Sequence, residues 1–211
     1  MKKLFALLLL PSIAFAGKIG ENYVGASLGD YTWENESSSN PIDVSGLSFE
    51  LRANYALHSG GSYGADLSAQ FLSANGLDGS PALNEGDITK FDILLRPYYR
   101  LQEIKLFANL GLSSLSADMN GIEIIDENAF LPGIGLEFSI DKITFSPAIN
   151  FVDYGIPAKG ATWSLPLQYQ INDSIDALFR FEGSGLDDYI SSGVPQENEL
   201  STWSLGIDYK F

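Results

Sequence analysis

The stretch Ser201-Thr-Trp-Ser-Leu-Gly-Ile-Asp-Tyr-Lys-Phe211 alternates in polarity almost without a break. One parity carries the bulky apolar residues Trp203, Leu205, Ile207, Tyr209 and Phe211, and the other carries Ser204, Gly206, Asp208 and Lys210. A period of two predicts a β-strand with one apolar and one polar face. Because every bulky apolar group faces one way, that face needs extensive apolar surroundings to leave water.

The same alternation recurs in about ten segments along the chain. They cover roughly residues 22–33, 46–57, 62–72, 88–101, 104–116, 129–140, 143–154, 162–172, 175–185 and 199–211. Each has about 10 to 14 residues, close to the 9–11 that a tilted strand needs to cross a bilayer. We therefore predict an all-β protein: a single up-and-down antiparallel transmembrane β-barrel of about ten strands, with eight as the alternative count.

Two features of this pattern stay open. In the first segment, one parity holds Val24, Ala26 and Leu28 and the other holds Tyr23, Tyr31 and Trp33, so its outward face is undecided. In addition, four prolines fall inside predicted strands, although proline cannot donate to a β-ladder: Pro97, Pro132, Pro147 and Pro166. Bulges or locally open ladders are expected at these prolines. Parity continues through Pro97, which argues against a one-residue bulge there.

The connections between the segments alternate in length. Short ones lie at 58–61, 102–103, 141–142 and 172–174, and long ones at 34–45, 73–87, 117–128, 155–161 and 186–198. Outer-membrane barrels combine short periplasmic turns with longer external loops. We therefore predict that both chain termini are periplasmic. Aromatic residues near both strand ends fit two interfacial girdles: Tyr55, Tyr63, Tyr99, Tyr169 and Tyr209 near the short turns, and Trp33, Phe71, Phe91, Phe130, Phe151, Trp163 and Trp203 near the long loops.

The N-terminus has the features of a secretory signal peptide. Lys2 and Lys3 precede an apolar run from Leu4 to Phe15, and Ala14-Phe15-Ala16 is a small-x-small cleavage site. The run is too short to cross a bilayer as a helix. We predict a signal peptide at 1–16 and a barrel domain at 17–211. The formal net charge of −15 excludes nucleic acid as an expected partner, since phosphate binding needs clustered Lys and Arg.

All four arginines of the chain fall on the inward parity of the predicted strands. The predicted lumen charge network consists of Glu50, Arg52, Asp66, Asp92, Arg96, Arg100, Glu137, Asp176, Arg180, Glu182, Asp208 and Lys210. An arginine facing lipid at mid-bilayer costs about 2–4 kcal/mol, whereas inside the barrel it can form forked hydrogen bonds with carboxylates. Inward Leu94, Tyr98, Phe107, Leu131, Tyr154 and Leu178 take up volume, which favours a filled, salt-bridged interior. The alternative is a charged constriction in a narrow channel.

The long connections are acidic. They contain Glu34, Glu36, Asp43, Asp78, Glu85, Asp87, Asp118, Glu123, Asp126, Glu127, Asp187, Asp188, Glu197 and Glu199, with only Lys90 and Lys159 nearby to offset them. None of them has the spacing of a dedicated calcium loop. We predict a solvated anionic surface and no cofactor or metal site.

Catalytic residues are not evident. His58 is the only histidine, it lies in a short turn, and the chain has no cysteine. An imidazole-activated nucleophile is therefore unavailable at the outer rim. We predict that the protein is not an enzyme.

Together, the signal peptide, the alternating segments, the order of turns and loops and the terminal Tyr209-Lys210-Phe211 resemble small bacterial outer-membrane β-barrels. This class includes OmpA-type domains, OmpX-like and opacity-type proteins. The resemblance implies residence in the bacterial outer membrane, contact with its lipid, and insertion by the barrel-assembly machinery, which would read Phe211 as an assembly signal. Many members have eight strands, however, and the catalytic residues of the ten-stranded omptin proteases are missing here.

Three functions follow from these observations. The leading hypothesis is a closed, non-enzymatic barrel, expected to be monomeric, with a structural or surface-interaction role. The alternative is a narrow porin-like channel for ions or small solutes. A third is a soluble periplasmic ligand-binding barrel of lipocalin type.

Overall fold

The computed structural model describes residues 18–35, 42–79, 85–119, 121–154, 159–189 and 195–211. The predicted signal peptide at residues 1–16 lies outside these ranges. Within them, no helix is long and apolar enough to cross a membrane. The described chain is almost entirely β-strand.

The strands follow one another as an antiparallel meander. They are β1 (Tyr23–Asn35), β2 (Ile42–Gly60), β3 (Tyr63–Gly79), β4 (Glu85–Leu101), β5 (Ile104–Met119), β6 (Ile122–Ile140), β7 (Ile143–Phe145), β8 (Ala148–Asp153), β9 (Lys159–Gln170), β10 (Ile175–Tyr189) and β11 (Pro195–Lys210). β7 and β8 pair with β6 and β9 in one continuous register and form a single strand of the wall.

The sheet closes because β1 also pairs with β11, from Tyr23↔Lys210 to Asn35↔Asn198, without a shift in register. The result is a closed up-and-down barrel of ten strands. The predicted fold class is therefore confirmed, with ten strands and not eight. We call the end with the short links between β2 and β3, β4 and β5, β6 and β7, and β9 and β10 the turn end, and the opposite end the loop end.

Burial alternates along the strands as the period of two predicts. In β1, Tyr23, Tyr31 and Trp33 face the lumen and are buried, while Leu28 faces outward and is 66% exposed. This settles the parity of the first strand. It also removes Trp33 from the predicted outer girdle: its side chain is 2% exposed because the loop end of the lumen is apolar.

Several strands extend further at the loop end than the sequence pattern predicted. β2 begins at Ile42, β3 runs to Gly79 and β10 runs to Tyr189, so most of the predicted loop acids lie on strands. The physical reason is that alternation marks only the part of a strand that separates polar from apolar surroundings. The ladder continues beyond that part with mixed residues, among them Val44 on β2, which faces inward and is buried. Glu36 lies outside the described residues.

The prolines open the ladders locally without changing their register. At the break between β7 and β8, Ser146 N donates to Pro166 O (3.2 Å) and Leu136 N donates to Pro147 O (3.1 Å), so each pair keeps one of its two bonds. At Pro97 the β4–β5 pairing resumes in unchanged register on both sides. Pro132 likewise lies just beyond the last β6–β8 pair. The expectation of open ladders, with no bulge at Pro97, holds.

Candidate functional site in the barrel lumen

The centre of the lumen is crossed by charged residues, which we call the central ion network: Glu50, Arg52, Arg180, Glu182 and Asp208. Arg52 Nη1 lies 3.3 Å from Glu50 Oε2, and its Nη2 donates to Asp208 Oδ1 at 3.0 Å. Arg180 Nη1 donates to Glu50 Oε1 at 2.5 Å, and its Nη2 contacts Glu182. Arg52, Glu50 and Asp208 are each at most 3% exposed. Each arginine thus joins two carboxylates across strands.

Neutral polar side chains complete the hydrogen bonding of this network. Ser27 Oγ donates to Glu50 Oε2 (2.9 Å), Gln168 Nε2 donates to Asp208 Oδ2 (2.9 Å), and Arg180 Nη2 donates to Gln70 Oε1 (2.8 Å). Gly25 lies directly against Asp208: a Cβ at position 25 would fall 1.8 Å from Asp208 Oδ1. The network therefore depends on close approach of β1 to β11 as well as on charge.

A second charged group borders the network on the loop side. Lys90 Nζ lies 3.0 Å from Asp92 Oδ2, and Ser113 Oγ donates to Asp92 Oδ1 at 2.5 Å. The Ser113 and Tyr154 hydroxyls are 2.6 Å apart. Lys90 was not predicted as a lumen residue, and was considered only as a cation near the acidic connections. Its even-numbered parity, shared with Asp92 and Arg96, was the signal that could have placed it inside.

The turn end holds two more charged groups. Asp66 accepts from Asn54 Nδ2 (3.0 Å) and lies 3.8 Å from Arg96 Nη2. Glu137 Oε1 accepts from Lys105 Nζ at 2.7 Å. Lys105 was also missed, although it shares its parity with inward Phe107 on β5. Asp66 and Glu137 are 0% and 2% exposed, respectively.

Residues Lys18–Asn22, which precede β1, turn back into this end of the lumen; we call them the N-terminal segment. Ile19 N donates to Glu137 Oε2 and Gly20 N donates to Asp66 Oδ2, both at 2.8 Å. Ile19 is 1% exposed and packs with Tyr98, Phe107 and Ala148. No role was predicted for these residues from the sequence, because five residues are too few to show a periodic pattern.

The loop end of the lumen is filled by apolar side chains, which we call the loop-end cluster. Its buried members are Tyr31, Trp33, Val44, Leu72, Ala74, Ile88, Leu115, Ala117, Ala129, Leu131, Val152 and Tyr154. Leu94 and Leu200 pack against them. An apolar inward face is unusual for an outer-membrane barrel, whose interior is generally polar. Here it behaves as the core of a folded domain.

An internal cavity of about 80 Å³ remains between the charged groups. Arg52, Arg96 and Arg180 line it, and their buried Nε atoms have no hydrogen-bond partner among the described protein atoms. A polar cavity of this kind has room for water. Phe107 and Ala148 form part of its lining and also belong to the apolar cluster that contains Ile19. The N-terminal segment therefore lies at the turn side of the cavity.

Three of the twelve predicted network residues lie apart from these groups. Asp176 pairs with Lys210 (3.0 Å) at the turn end, away from the central ion network. Arg100 is exposed at the turn-end rim and forms no ion pair with the residues that the structure describes. Of the other nine, five form the central ion network, and Asp92, Asp66, Arg96 and Glu137 lie in the charged groups on either side of it, together with Lys90 and Lys105.

His58 lies at the turn end, where its ring centroid is 5.4 Å from that of Tyr63. In the described part of the chain, no three His, Asp or Glu residues are grouped so that they could hold a metal ion. Glu34 faces Glu199 and Asp43 across neighbouring strands, and all three are exposed. Nothing in their geometry distinguishes them from a solvated acidic rim.

These features together define the fold that small bacterial outer-membrane β-barrels have. The chain is similar to the outer membrane protease OmpT from Escherichia coli, with a TM-score of 0.57, 9% identity and coverage of 93% of this chain and 99% of that one. It is also similar to the translocator domain of the autotransporter NalP from Neisseria meningitidis, with a TM-score of 0.50, 12% identity and coverage of 100% and 95%.

At these identities the similarity concerns the fold alone, and at that level the predicted resemblance is confirmed. The attachment invasion locus protein Ail of Yersinia pestis is a further match, with a TM-score of 0.37, 17% identity and coverage of 90% and 99%. No protein-family model matches the sequence, and no curated protein matches it either.

Proposed function

We propose that this protein is an integral barrel of the bacterial outer membrane. The support is its outer surface, where large apolar side chains are exposed around the wall, among them Leu47 (80%), Leu28 (66%), Ile134 (63%) and Ile207 (60%). A water-soluble surface rarely carries so continuous an apolar area. Lipid of the outer membrane would cover this belt.

The proposed orientation has the turn end and both termini in the periplasm. It is supported by exposed tyrosines near the turn end, such as Tyr63 and Tyr209, and by exposed Phe130, Phe151 and Trp203 toward the loop end. Aromatic side chains at both interfaces are typical of such barrels. Phe211 is 62% exposed at the turn end, where it is available to be read by the barrel-assembly machinery. We propose that the barrel inserts as a monomer.

We further propose that the lumen is closed, and that the protein acts as a structural or surface-interaction element through its loop end. The observation that carries this proposal is the stacking of three blocks along the lumen: the loop-end cluster, the central ion network and the N-terminal segment. The cavities among the described residues here, about 80 Å³ beside the central ion network and about 40 Å³ beside the loop-end cluster, have room for only a few water molecules. A solute would have to displace an apolar core to pass.

The channel alternative rests on the arginines that line the cavity. It requires the loop-end cluster to rearrange, since Leu131 and Trp33 at that end are no more than 2% exposed. An enzymatic role has less support. The fold is shared with a protein named as a protease, but the only histidine here lies at the turn end.

Conductance tests the closed lumen. The refolded protein in planar bilayers should show no steady current at about 100 mV, while a porin reconstituted in parallel serves as the conducting control. Stable, ion-selective steps would overturn the proposal and favour the channel. In that case Arg180→Ala should change the ion selectivity of the steps, and Arg100→Ala, at the exposed rim, should not.

Thiol labelling tests location and orientation. The chain has no cysteine, so Asp126→Cys at the loop end and Ser62→Cys at the turn end each introduce a single thiol. On intact cells an impermeant maleimide should label only the first, and the second should react after the outer membrane is permeabilised. The reverse pattern contradicts the orientation. Recovery of the protein in the soluble fraction contradicts membrane residence and favours the lipocalin-type hypothesis.

A further inference from the structure

The N-terminal segment is bound to the barrel through its backbone, as a peptide ligand is. Besides the two N–H groups that donate to Glu137 and Asp66, Asn54 Nδ2 donates to Glu21 O at 2.9 Å, and Lys105 Nζ donates to Ile19 O. The barrel also donates from Ala56 N to Asn22 Oδ1 at 2.8 Å. The backbone donors of Ile19 and Gly20 and the backbone acceptors of Ile19 and Glu21 thus each have a partner on the barrel.

One side chain of the segment enters an apolar pocket within an otherwise charged region. Ile19 contacts Tyr98, Phe107 and Ala148, and the aromatic rings of Tyr98 and Phe107 are seated over inward glycines. A Cβ at Gly64 would fall 2.3 Å from Tyr98, and one at Gly135 would fall 2.3 Å from Phe107. The pocket for Ile19 therefore depends on four positions in four strands: Gly64 on β3, Tyr98 on β4, Phe107 on β5 and Gly135 on β6.

Gly20 also fits this site in a way that other residues do not. Its φ is +84°, in the left-handed region that favours glycine. A Cβ at position 20 would fall 2.9 Å from the Tyr98 hydroxyl oxygen. The sequence of the segment is thus adapted to its binding site at both Ile19 and Gly20.

The segment also satisfies two charges that are buried when it is in place. Glu137 accepts from Ile19 N as well as from Lys105 and Ser146, and Asp66 accepts from Gly20 N as well as from Asn54. Buried carboxylates need such partners, because removing one leaves an uncompensated charge. Without the segment, these two carboxylates would face water from the turn end.

We propose that residues Lys18–Asn22 are a tethered plug: an internal peptide ligand in a peptide-binding site of the lumen, whose undocking opens the central cavity to the turn side only. Phe107 and Ala148 belong both to the wall of the cavity and to the cluster that contains Ile19, so without Ile19 these two side chains alone would stand between the cavity and the turn end. The loop-end cluster is independent of the segment and keeps the other side closed. The undocked barrel is a blind vestibule, lined by Arg52 and Arg96, and does not become a pore. The assignment of this vestibule to the periplasm rests on the proposed orientation.

Cysteine accessibility in the refolded full-length barrel tests the plug. Ser68→Cys places a thiol on the cavity wall, and Ser48→Cys places one on the loop side of the central ion network; both serines are at most 4% exposed. With the plug docked, a small methanethiosulfonate should modify both slowly. Deleting residues 18–21 should speed modification at position 68 by about tenfold or more, equivalent to about 1.4 kcal/mol per tenfold step, and leave position 48 unchanged.

Point variants and peptide rescue separate a bound ligand from a general loosening of the barrel. Ile19→Asp should unmask the thiol at position 68, and Lys18→Gln, which keeps the backbone contacts and the apolar side chain, should not. A synthetic Lys-Ile-Gly-Glu-Asn peptide should restore protection to the deleted barrel, and a Lys-Asp-Gly-Glu-Asn peptide should not. Equal modification rates at position 68 with and without the segment would overturn the plug, as would faster modification at both reporter positions.

Failure of the plug proposal can be distinguished from failure of the proposed closed lumen. Deleting the plug should produce no steady conductance, because the loop-end cluster remains. Conductance in the unaltered protein would contradict the closed lumen whatever the thiol at position 68 does. Unchanged protection of that thiol would contradict the plug while leaving the closed lumen standing.

Discussion

The two halves of the lumen are built on the same inward parity from different chemistry. Toward the loop end, the inward positions of β1, β4 and β6 hold residues such as Trp33, Ile88 and Leu131; nearer the turn end, the same strands hold Ser27, Arg96 and Glu137. Both halves are closely packed and buried. The comparison shows that a narrow barrel can be filled either by an apolar core or by paired charges. The two halves should nevertheless respond differently when one side chain is removed.

The largest loss in the free energy of unfolding is expected from Arg52→Ala. It leaves Glu50 and Asp208 buried without their shared partner, and breaking a buried pair in this way costs about 3–5 kcal/mol. Urea unfolding in lipid vesicles, followed by tryptophan fluorescence, measures the loss. Arg100→Ala, at the exposed rim, is the matched control and should change the free energy of unfolding by no more than about 0.5 kcal/mol. Equal, small losses would mean that the ionic half is hydrated like a pore.

In the apolar half, Leu131→Ala should lower the free energy of unfolding by about 2–5 kcal/mol, because it leaves a cavity that its neighbours fill only partly. The control is Leu112→Ala, on the outer face with 64% of its side chain exposed. On that face lipid chains can fill the space that the leucine leaves, so the loss in the free energy of unfolding should be clearly smaller. If both variants lose the same amount in the same unfolding assay, the loop end is not a packed core.

Overpacking tests the ionic half without removing a charge. Gly25→Ala puts a methyl group where Asp208 Oδ1 lies, and accommodating it should cost about 1–3 kcal/mol. Gly61→Ala, in a turn with no atom within 4 Å of the added Cβ, should be close to neutral. Thermal scans of heat-modifiable gel mobility can compare the two. Tolerance of Gly25→Ala would show that the β1–β11 approach is looser than the distances indicate.

A change in salt concentration should have the smallest effect on the unfolding free energies compared above. Buried ion pairs are screened little, so the cost of Arg52→Ala should change by less than about 0.5 kcal/mol between about 0.1 and 1 M NaCl. The exposed pair of Lys159 and Asp153, with side chains 56% and 58% exposed, is the contrast: Lys159→Ala should cost at most about 1 kcal/mol, and salt should remove it. A strong salt dependence at Arg52 would mean that ions reach the central network.

The sequence was informative about this molecule wherever a strand separates apolar from polar surroundings. The period of two alone predicted that Arg52 and Asp208 face the lumen and that Leu205 faces outward. The same rule applied to Lys90 and Lys105, but these residues were missed because they lie near predicted strand ends, where loop and strand are hard to separate.

The N-terminal segment could not be predicted in the same way. The contact between Ile19 and Glu137 spans 118 positions of the chain, and no local pattern encodes so distant a partner. The prediction that Trp33 belongs to the outer aromatic girdle was wrong for a related reason. An aromatic residue near a strand end suits a lipid interface and an apolar core equally well, and only the neighbouring strands decide between them.

The break between β7 and β8 has a mechanical consequence for the wall. The β1–β11 seam, which joins the first and last strands, pairs continuously from Tyr23 to Asn35, whereas the β6–β7 and β7–β9 ladders are three pairs each. Pro147 and Pro166 each remove one backbone hydrogen bond, and both lie at the same level along the barrel axis. Stretched or thinned bilayers should therefore part the wall at β7 before the seam, and the amide hydrogens of Ile143–Phe145 should exchange with solvent deuterium ahead of those of β1.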